Sequence, residues 1–331
     1  MKTVLVGLGR IGFDFHLPAL LSHPEFTLSA VVDVDPSRLA EAEVPGYTDL
    51  ETCLLEVKPA LVVIASPTHL HCEQTLLAFR YGADVFLDKP MTTSVEEADL
   101  LLETAKRLGR KLMVYQPHRV TDEFETAKSI IASGVLGRIY HVRRAVHRYR
   151  RRADWQAFSS FGGGMLMNYG AHYIDQLLAL TKAHVAEAFC FTDAVATLGD
   201  AEDVVECLLK TKEGVLLSVS INEASTFPHT PWEIFGEYGT AVFDAASRTF
   251  RITRCDPASL PDTKASKSLA AKNRSYHSGE VIEWISEEIS LSPAVNYYDH
   301  CADYFCKNKP PFLPLEESVA LIKLLNSLKQ R

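Results

Sequence analysis

No uncharged apolar run in this sequence approaches the length of a membrane span, which excludes a transmembrane helix. Cysteine is sparse and unpatterned. Its seven residues, Cys53, Cys72, Cys190, Cys207, Cys255, Cys301 and Cys306, are odd in number and contain no C-x-x-C pair, which argues against a disulfide framework and suits reduced thiols. Cys72 lies beside His69 and His71, yet no second ligand cluster at a suitable spacing accompanies it, so no metal is expected. Positive charge is also short: 34 Lys and Arg stand against 42 Asp and Glu, a net charge of -8, and nucleic acid is therefore not an expected partner. Neither a repeat nor a low-complexity tract is present. The start, Met1-Lys2-Thr3-Val4-Leu5-Val6, runs into an apolar strand rather than a signal-peptide core, so the expected location is cytoplasmic, with no membrane partner.

What is present is a regular alternation. Strand patterns at Thr3 to Val6, Leu28 to Asp33, Ala60 to Ala65, Asp84 to Leu87 and Lys111 to Tyr115 alternate with helical ones at Arg10 to Leu21, Pro36 to Ala42, Thr68 to Tyr81 and Ser94 to Leu108. This order predicts an α/β fold with a doubly wound parallel sheet, and near-continuous Val/Leu/Ile runs fit strands buried on both faces. A chain of 331 residues predicts two domains, here 1–119 and 120–331.

The first strand-to-helix turn reads Gly7-Leu8-Gly9-Arg10-Ile11-Gly12. The three glycines of this G-x-G-x-x-G permit a tight turn, close approach of a pyrophosphate and close helix packing, with the helix N-terminus toward the phosphates. Asp33 ends the second strand, where a ribose-binding carboxylate belongs. It favours NAD, while Arg38, five residues on, could instead hold the 2'-phosphate of NADP.

Two later strand ends carry chemistry. Ser66-Pro67-Thr68-His69-Leu70-His71 follows the strand pattern at Ala60 to Ala65, and Asp88-Lys89-Pro90 follows the next. A lysine there can reach a nicotinamide and a substrate, and desolvation or a neighbouring cation would lower its pKa toward acid/base use. Further on, Gly162-Gly163-Gly164 precedes an apolar helix in which Asn168, His172 and Asp175 recur at offsets of four and three, placing them on one stripe. Arg143, Arg144, Arg148, Arg150, Arg151 and Arg152 form a basic run that suits a carboxylate or phosphate on a substrate, a surface ion-pair cluster or a subunit contact.

These motifs, in this order and at these separations, resemble the Gfo/Idh/MocA family, named for glucose-fructose oxidoreductase, inositol dehydrogenase and MocA. The likeness extends through Tyr115-Gln116-Pro117-His118-Arg119, His147-Arg148-Tyr149-Arg150, Trp155 and the terminal Pro310-Pro311-Phe312-Leu313-Pro314-Leu315-Glu316-Glu317. It implies an N-terminal Rossmann domain and a C-terminal α/β domain with a large, mostly antiparallel open sheet that commonly builds homodimers or homotetramers. Strand patterns at Ile139 to Arg148, Val185 to Val195, Val204 to Lys210, Val215 to Asn222, Trp232 to Glu237 and Phe250 to Arg254 agree. Turns at Lys212-Glu213-Gly214 and Tyr238-Gly239-Thr240 join several of them as hairpins. Asp256 to Ser278, rich in Ser, Ala and Lys, reads as a mobile surface excursion.

The resemblance further implies an NAD(P)-dependent oxidoreductase acting on a sugar, cyclitol or related polyol or keto compound. Lys89 and His172 would be catalytic, with Asn168 positioning. Gly7, Gly9, Arg10, Ile11, Gly12, Asp33, Arg38, Ser66, Pro67, Thr68, His71, Asp88, Lys89, Pro90 and Gln116 would hold the cofactor. Arg148, Trp155 and Asp175 are candidate substrate contacts. The family's aspartate four residues before the histidine is Asn168 here, and an amide can orient a hydroxyl but cannot hold negative charge. That change makes Lys89 the stronger proton-transfer candidate. It also keeps two alternatives in play, a cofactor-binding regulator without turnover and a redox-neutral NAD-dependent glycosidase.

Overall fold

The computed structural model describes residues 1–262, 265 and 281–329, so most of the excursion read at 256–278 lies outside the described residues. Six strands, β1 (Lys2–Val6), β2 (Thr27–Val32), β3 (Gly46–Tyr47), β4 (Leu61–Ile64), β5 (Asp84–Asp88) and β6 (Leu112–Tyr115), form one sheet in the order β3-β2-β1-β4-β5-β6. Every pairing in it is parallel. All four residues of β4 are buried, as are Val4 to Val6 of β1 and Val85 to Asp88 of β5, because helices cover both faces of the sheet. Those helices include α1 (Leu17–Ser22), α2 (Pro36–Glu41), α3 (Leu50–Val57), α4 (His71–Arg80) and α5 (Val95–Leu108). Asp35, Asp49 and Ser94 cap α2, α3 and α5 by accepting first-turn N–H groups, and Gly109 closes α5 at a φ of 60°. β1 pairs with β2 on one side and β4 on the other. The chain changes direction across the sheet there, and a crevice opens beyond the carboxyl ends of β1 and β4.

The second half contributes α6 (Asp122–Ser133), β7 (Ile139–His147), α7 (Ala171–Thr181), β8 (Val185–Asp193), β9 (Val204–Thr211), β10 (Leu216–Asn222), β11 (Trp232–Gly236), β12 (Gly239–Asp244), β13 (Thr249–Arg254), β14 (Ile285–Ser290), α8 (Tyr297–Phe305) and α9 (Leu315–Lys329). Its eight strands lie in the order β14-β13-β12-β11-β7-β10-β9-β8. Only the β7–β10 pairing is parallel. Alternation along β9 is strict: Val205, Cys207 and Leu209 are buried while Glu206, Leu208 and Lys210 are exposed. The inner face packs on α7, and the outer face leaves Tyr140, Phe189, Phe191 and Leu208 exposed.

Two elements tie the layers together. The aromatic face of α8 returns to the first sheet, where the Tyr297 hydroxyl donates to the Val114 carbonyl at 2.8 Å and the Tyr298 hydroxyl meets His16 Nδ1 at 2.6 Å. α9 packs against both α5 and α7, and the pairs Lys106–Glu316 (2.7 Å) and Lys323–Asp99 (2.8 Å) fasten it to α5. The strand patterns overlooked β3, β12 and β14. β3 is two residues long, and β12 starts at the turn residue Gly239. Among the described residues no helix is long and apolar enough to cross a membrane.

Candidate active site

A cleft of about 1190 Å³ lies between the carboxyl end of the parallel sheet and the loops and helix that follow β7. Its first wall is mostly backbone. Gly7, at a φ of 89°, follows β1, and a Cβ there would lie 2.7 Å from Ser66 N and 2.8 Å from the Ala65 carbonyl oxygen. A Cβ on Gly12 would collide with the Gly7 carbonyl oxygen, whereas one on Gly9 would meet no heavy atom within 4 Å. Gly12 thus lets helix and strand close up, and Gly9 leaves an open approach for a ligand. The helical stretch from Arg10 to Ser22 matches the expected extent, although Gly12–His16 forms a π turn ahead of α1.

Asp33 is anchored at the end of β2. Its Oδ2 accepts from Leu8 N at 2.7 Å and its Oδ1 from Asp35 N at 2.9 Å, with Arg38 Nη1 at 3.5 Å. A carboxylate accepts more than two hydrogen bonds, so capacity remains for ribose hydroxyls. Open glycine backbone, a helix start and an anchored carboxylate in one crevice fit a dinucleotide. Ser66, Pro67 and Thr68 continue this wall.

The second wall is made of side chains. Lys89 leaves the end of β5, and its Nζ crosses to Asn168, donating to Oδ1 at 2.9 Å and to the backbone oxygen at 3.3 Å. Asn168 Nδ2 donates in turn to Gln156 Oε1 at 3.0 Å. The glycine run shapes this wall too: Gly164 has a φ of 105°, and a Cβ there would strike the Glu202 carboxylate, which accepts the Leu166 N–H at 3.1 Å. His172 is 7 % exposed at the start of α7, and its Nδ1 meets Gln116 Oε1 at 3.2 Å. An amide oxygen only accepts, so Nδ1 carries the proton and Nε2 keeps a lone pair. His118 stacks on His172 with centroids 3.9 Å apart and planes 7° apart.

Burial and neighbouring charge set the protonation states. Burial brings Lys89 down to about 8, assisted by Arg152 and Arg10 and opposed by Asp88. Asp88, whose Oδ1 accepts the Lys89 N–H at 2.8 Å, is pushed up to about 6 by burial against the pull of Lys89. His172 falls well below its ordinary value through burial, with Lys89, His118 and Arg144 adding to the effect. His118 falls to about 3, again chiefly through burial. Both imidazoles are neutral at pH 7. Lys89 and its neighbour Asp88 are the groups of this cleft brought within reach of ordinary working pH, and of the two the lysine carries the Nζ that crosses to Asn168.

Fifteen of the sequence candidates line this cleft: Lys89, Asn168 and His172; Gly7, Gly9, Arg10 and Ile11; Asp33 and Arg38; Ser66, Pro67 and Thr68; Asp88, Pro90 and Trp155. Five do not. Gly12 acts in packing, as described. His71 is buried as a brace between loops, Nδ1 to the Pro90 carbonyl at 3.0 Å and Nε2 to that of Ser66 at 2.9 Å. Gln116, also expected at the cofactor, is buried behind His172 and orients that ring. Arg148 stands behind Tyr169, donating to its hydroxyl at 2.9 Å and to Glu223 at 2.7 Å, so it backs the wall rather than facing a substrate.

Asp175 does not line the cleft. Arg119 holds both its oxygens at 2.7 Å and reaches Glu317 at 3.0 Å, which makes Asp175 a structural anchor between α7 and the chain after β6. The basic run also divides. Arg143 pairs with Glu233 and Arg144 is sandwiched between Tyr173 and Trp232, while Arg150, Arg151 and Arg152 line the cleft. Gln156, His118 and Tyr169 went unassigned from sequence, although Gln156 follows Trp155 and His118 lies inside a motif already singled out. Among the described residues, no group of three or more His, Cys, Asp or Glu side chains could hold a metal ion.

Residues 1–116 match the family model described as oxidoreductase family, NAD-binding Rossmann fold, and residues 124–242 match the GFO/IDH/MocA C-terminal domain. Among curated proteins, scyllo-inositol 2-dehydrogenase (NADP(+)) of Bacillus subtilis is 31% identical over 54% of this chain and 51% of its own length. D-glucoside 3-dehydrogenase of Escherichia coli is 29% identical over 53% of this chain and 52% of its own. The chain thus spans about half the length of the curated relatives it matches. An NAD-binding protein from Listeria innocua has the same fold, with a TM-score of 0.85 at 22% identity over 99% of this chain and 96% of that one.

Proposed function

Because the chain belongs to the Gfo/Idh/MocA oxidoreductase family, we propose that it is an NAD(P)-dependent dehydrogenase or reductase of a sugar, cyclitol or related polyol or keto compound. The observation that carries this is Lys89, held at the junction of the two walls by Asn168, beside a neutral His172 with a free Nε2. Gly7 and Gly9 would cradle the pyrophosphate, Asp33 the adenosine ribose, and Ser66, Pro67, Thr68 and Asp88 the nicotinamide half. The nicotinamide, when bound, supplies a hydride acceptor or donor.

In the direction of alcohol oxidation, Lys89 as a free amine takes the hydroxyl proton at Nζ, while His172 Nε2 accepts a hydrogen bond from a hydroxyl and fixes its place. In reduction the ammonium returns the proton. Both roles need the lysine to change state near neutrality, which a pKa brought down to about 8 permits. Asp33 is 7 % exposed and tied by two backbone N–H groups, so it cannot swing away from a 2'-phosphate, and NAD is the better fit. Arg150 and Arg151, the latter without a carboxylate partner among the described residues, suit an anionic group on the substrate. The exposed Tyr140, Phe189, Phe191 and Leu208 on the open sheet suit association of identical chains in a cytoplasmic homo-oligomer.

The test is a panel of neutral and acidic sugars and cyclitols with NAD and NADP, read by the absorbance of the reduced nicotinamide. Turnover with loss of activity in Lys89→Met supports the reading. Tight dinucleotide binding with no turnover on any member, and no change in the variant, favours the regulator instead.

A further inference from the structure

A lysine that moves a proton alternates between an ammonium, which only donates, and an amine, which also accepts. A carboxylate at position 168 would satisfy the first form alone. Asn168 has one accepting and one donating end, and the structure shows it in the arrangement suited to the ammonium. Lys89 Nζ donates to Oδ1 at 2.9 Å, and Nδ2 donates to Gln156 Oε1 at 3.0 Å. Gln156 is anchored by its backbone: its N–H donates to Asp154 Oδ1 at 3.2 Å, and its carbonyl accepts from Gly164 N at 3.1 Å, in the glycine run that leads into Asn168. Its side chain lines the cleft, and its Nε2 has no partner among the described residues.

We propose that Gln156 is a positioning residue for Lys89. By accepting the Asn168 N–H it holds the amide oxygen toward the ammonium. When Nζ becomes an amine, both amides turn over together: Asn168 Nδ2 then donates to the Nζ lone pair, and Gln156 Nε2 donates to Asn168 Oδ1. The Nζ–Asn168 and Asn168–Gln156 hydrogen bonds are thus kept in both protonation states, and the proton itself passes only between Nζ and the substrate hydroxyl or cleft water. Unpaired polar groups at a desolvated site are costly, so a partner pair that serves both states lowers the barrier to cycling. The inference rests on the role proposed for Lys89. The other charged or titratable groups facing it are Asp88 on β5, Arg10 at the helix start, Arg152 in the loop after β7, His118 after β6 and His172 on α7, and none of them changes in the variants below.

The experiment follows Lys89 itself, without substrate. Competitive acetylation of the full chain across pH, read on the Lys89 peptide by mass spectrometry, yields its titration midpoint, expected near 8 in the wild type. Gln156→Glu can only accept, cannot turn over and adds a negative charge, so the midpoint rises by about one pH unit; Asn168→Asp moves it the same way and further. Gln156→Met, which removes both ends of the amide, lowers kcat about tenfold with KM retained. An unshifted midpoint in Gln156→Glu beside a raised one in Asn168→Asp overturns the coupling while leaving Lys89 intact. A change confined to melting temperature in the Gln156 variants, with midpoint and kcat unmoved, also overturns it. An ordinary lysine midpoint above about 10 in the wild type removes the role of Lys89 itself.

Discussion

The two walls of the cleft are built on different principles. The wall from the parallel sheet presents backbone: open glycine, a helix start, and one carboxylate fixed by N–H groups. The opposite wall presents side chains held by other side chains, Lys89 by Asn168, Asn168 by Gln156, and His172 by Gln116 and His118. A backbone wall depends on what is missing at a few positions, and a side-chain wall depends on partners far away in sequence. Damage to the first should weaken binding, and damage to the second should impair chemistry or stability.

The sharpest break of that contrast is Lys89→Met. Turnover should fall by about 10²–10⁴ while the dinucleotide dissociation constant, read by fluorescence of the reduced cofactor, stays within a few-fold. An equal loss of binding would place Lys89 on the first wall. Next is Asp175→Ala, which removes the bidentate partner of the buried Arg119 and leaves it Glu317 alone. Denaturant unfolding should show a loss of about 3–5 kcal/mol, with KM unchanged in the folded fraction. A raised KM at full stability would return Asp175 to the substrate. Gly7→Ala acts on the backbone wall, where both a positive φ and the Ser66 and Ala65 backbone oppose a Cβ. It should weaken dinucleotide binding at least tenfold and cost about 1–3 kcal/mol of stability. Arg10→Gln on the same wall should do much less.

A further effect is confined to low pH. His16 is buried beside Tyr298, and burial lowers its pKa to about 3. Its folded-state pKa lies below the unfolded value, so as pH falls below about 6.5 the unfolded chain takes up a proton that the folded chain refuses. The folded state then loses about 1.4 kcal/mol per pH unit until the folded pKa is reached. Melting curves of His16→Gln between about pH 6.5 and 4 should be flatter than those of the wild type.

The same contrast accounts for what could be read from the sequence. Glycine spacing and apolar alternation are local, so β1, the fingerprint, Asp33 and the parallel character of the first sheet were legible. Lys89 and His172 were legible as strand-end and helix-stripe residues. Asp175 was not, because only the fold brings Arg119 onto it from 56 residues away. His71 and Gln116 occupy motif positions, yet their ring and amide point inward to brace the loops. Gln156 gave no signal, since its one informative partner is an amide whose orientation the network decides. Along α8, nothing in the pattern showed that its tyrosines would pack on the first sheet.

The pH dependence of kcat/KM for alcohol oxidation tests most directly whether Lys89 moves the proton. Activity should rise through a single ionisation near 8, matching the lysine in the free enzyme, and the residual activity of Lys89→Met should lack that limb. The same limb persisting in Lys89→Met would contradict the assignment.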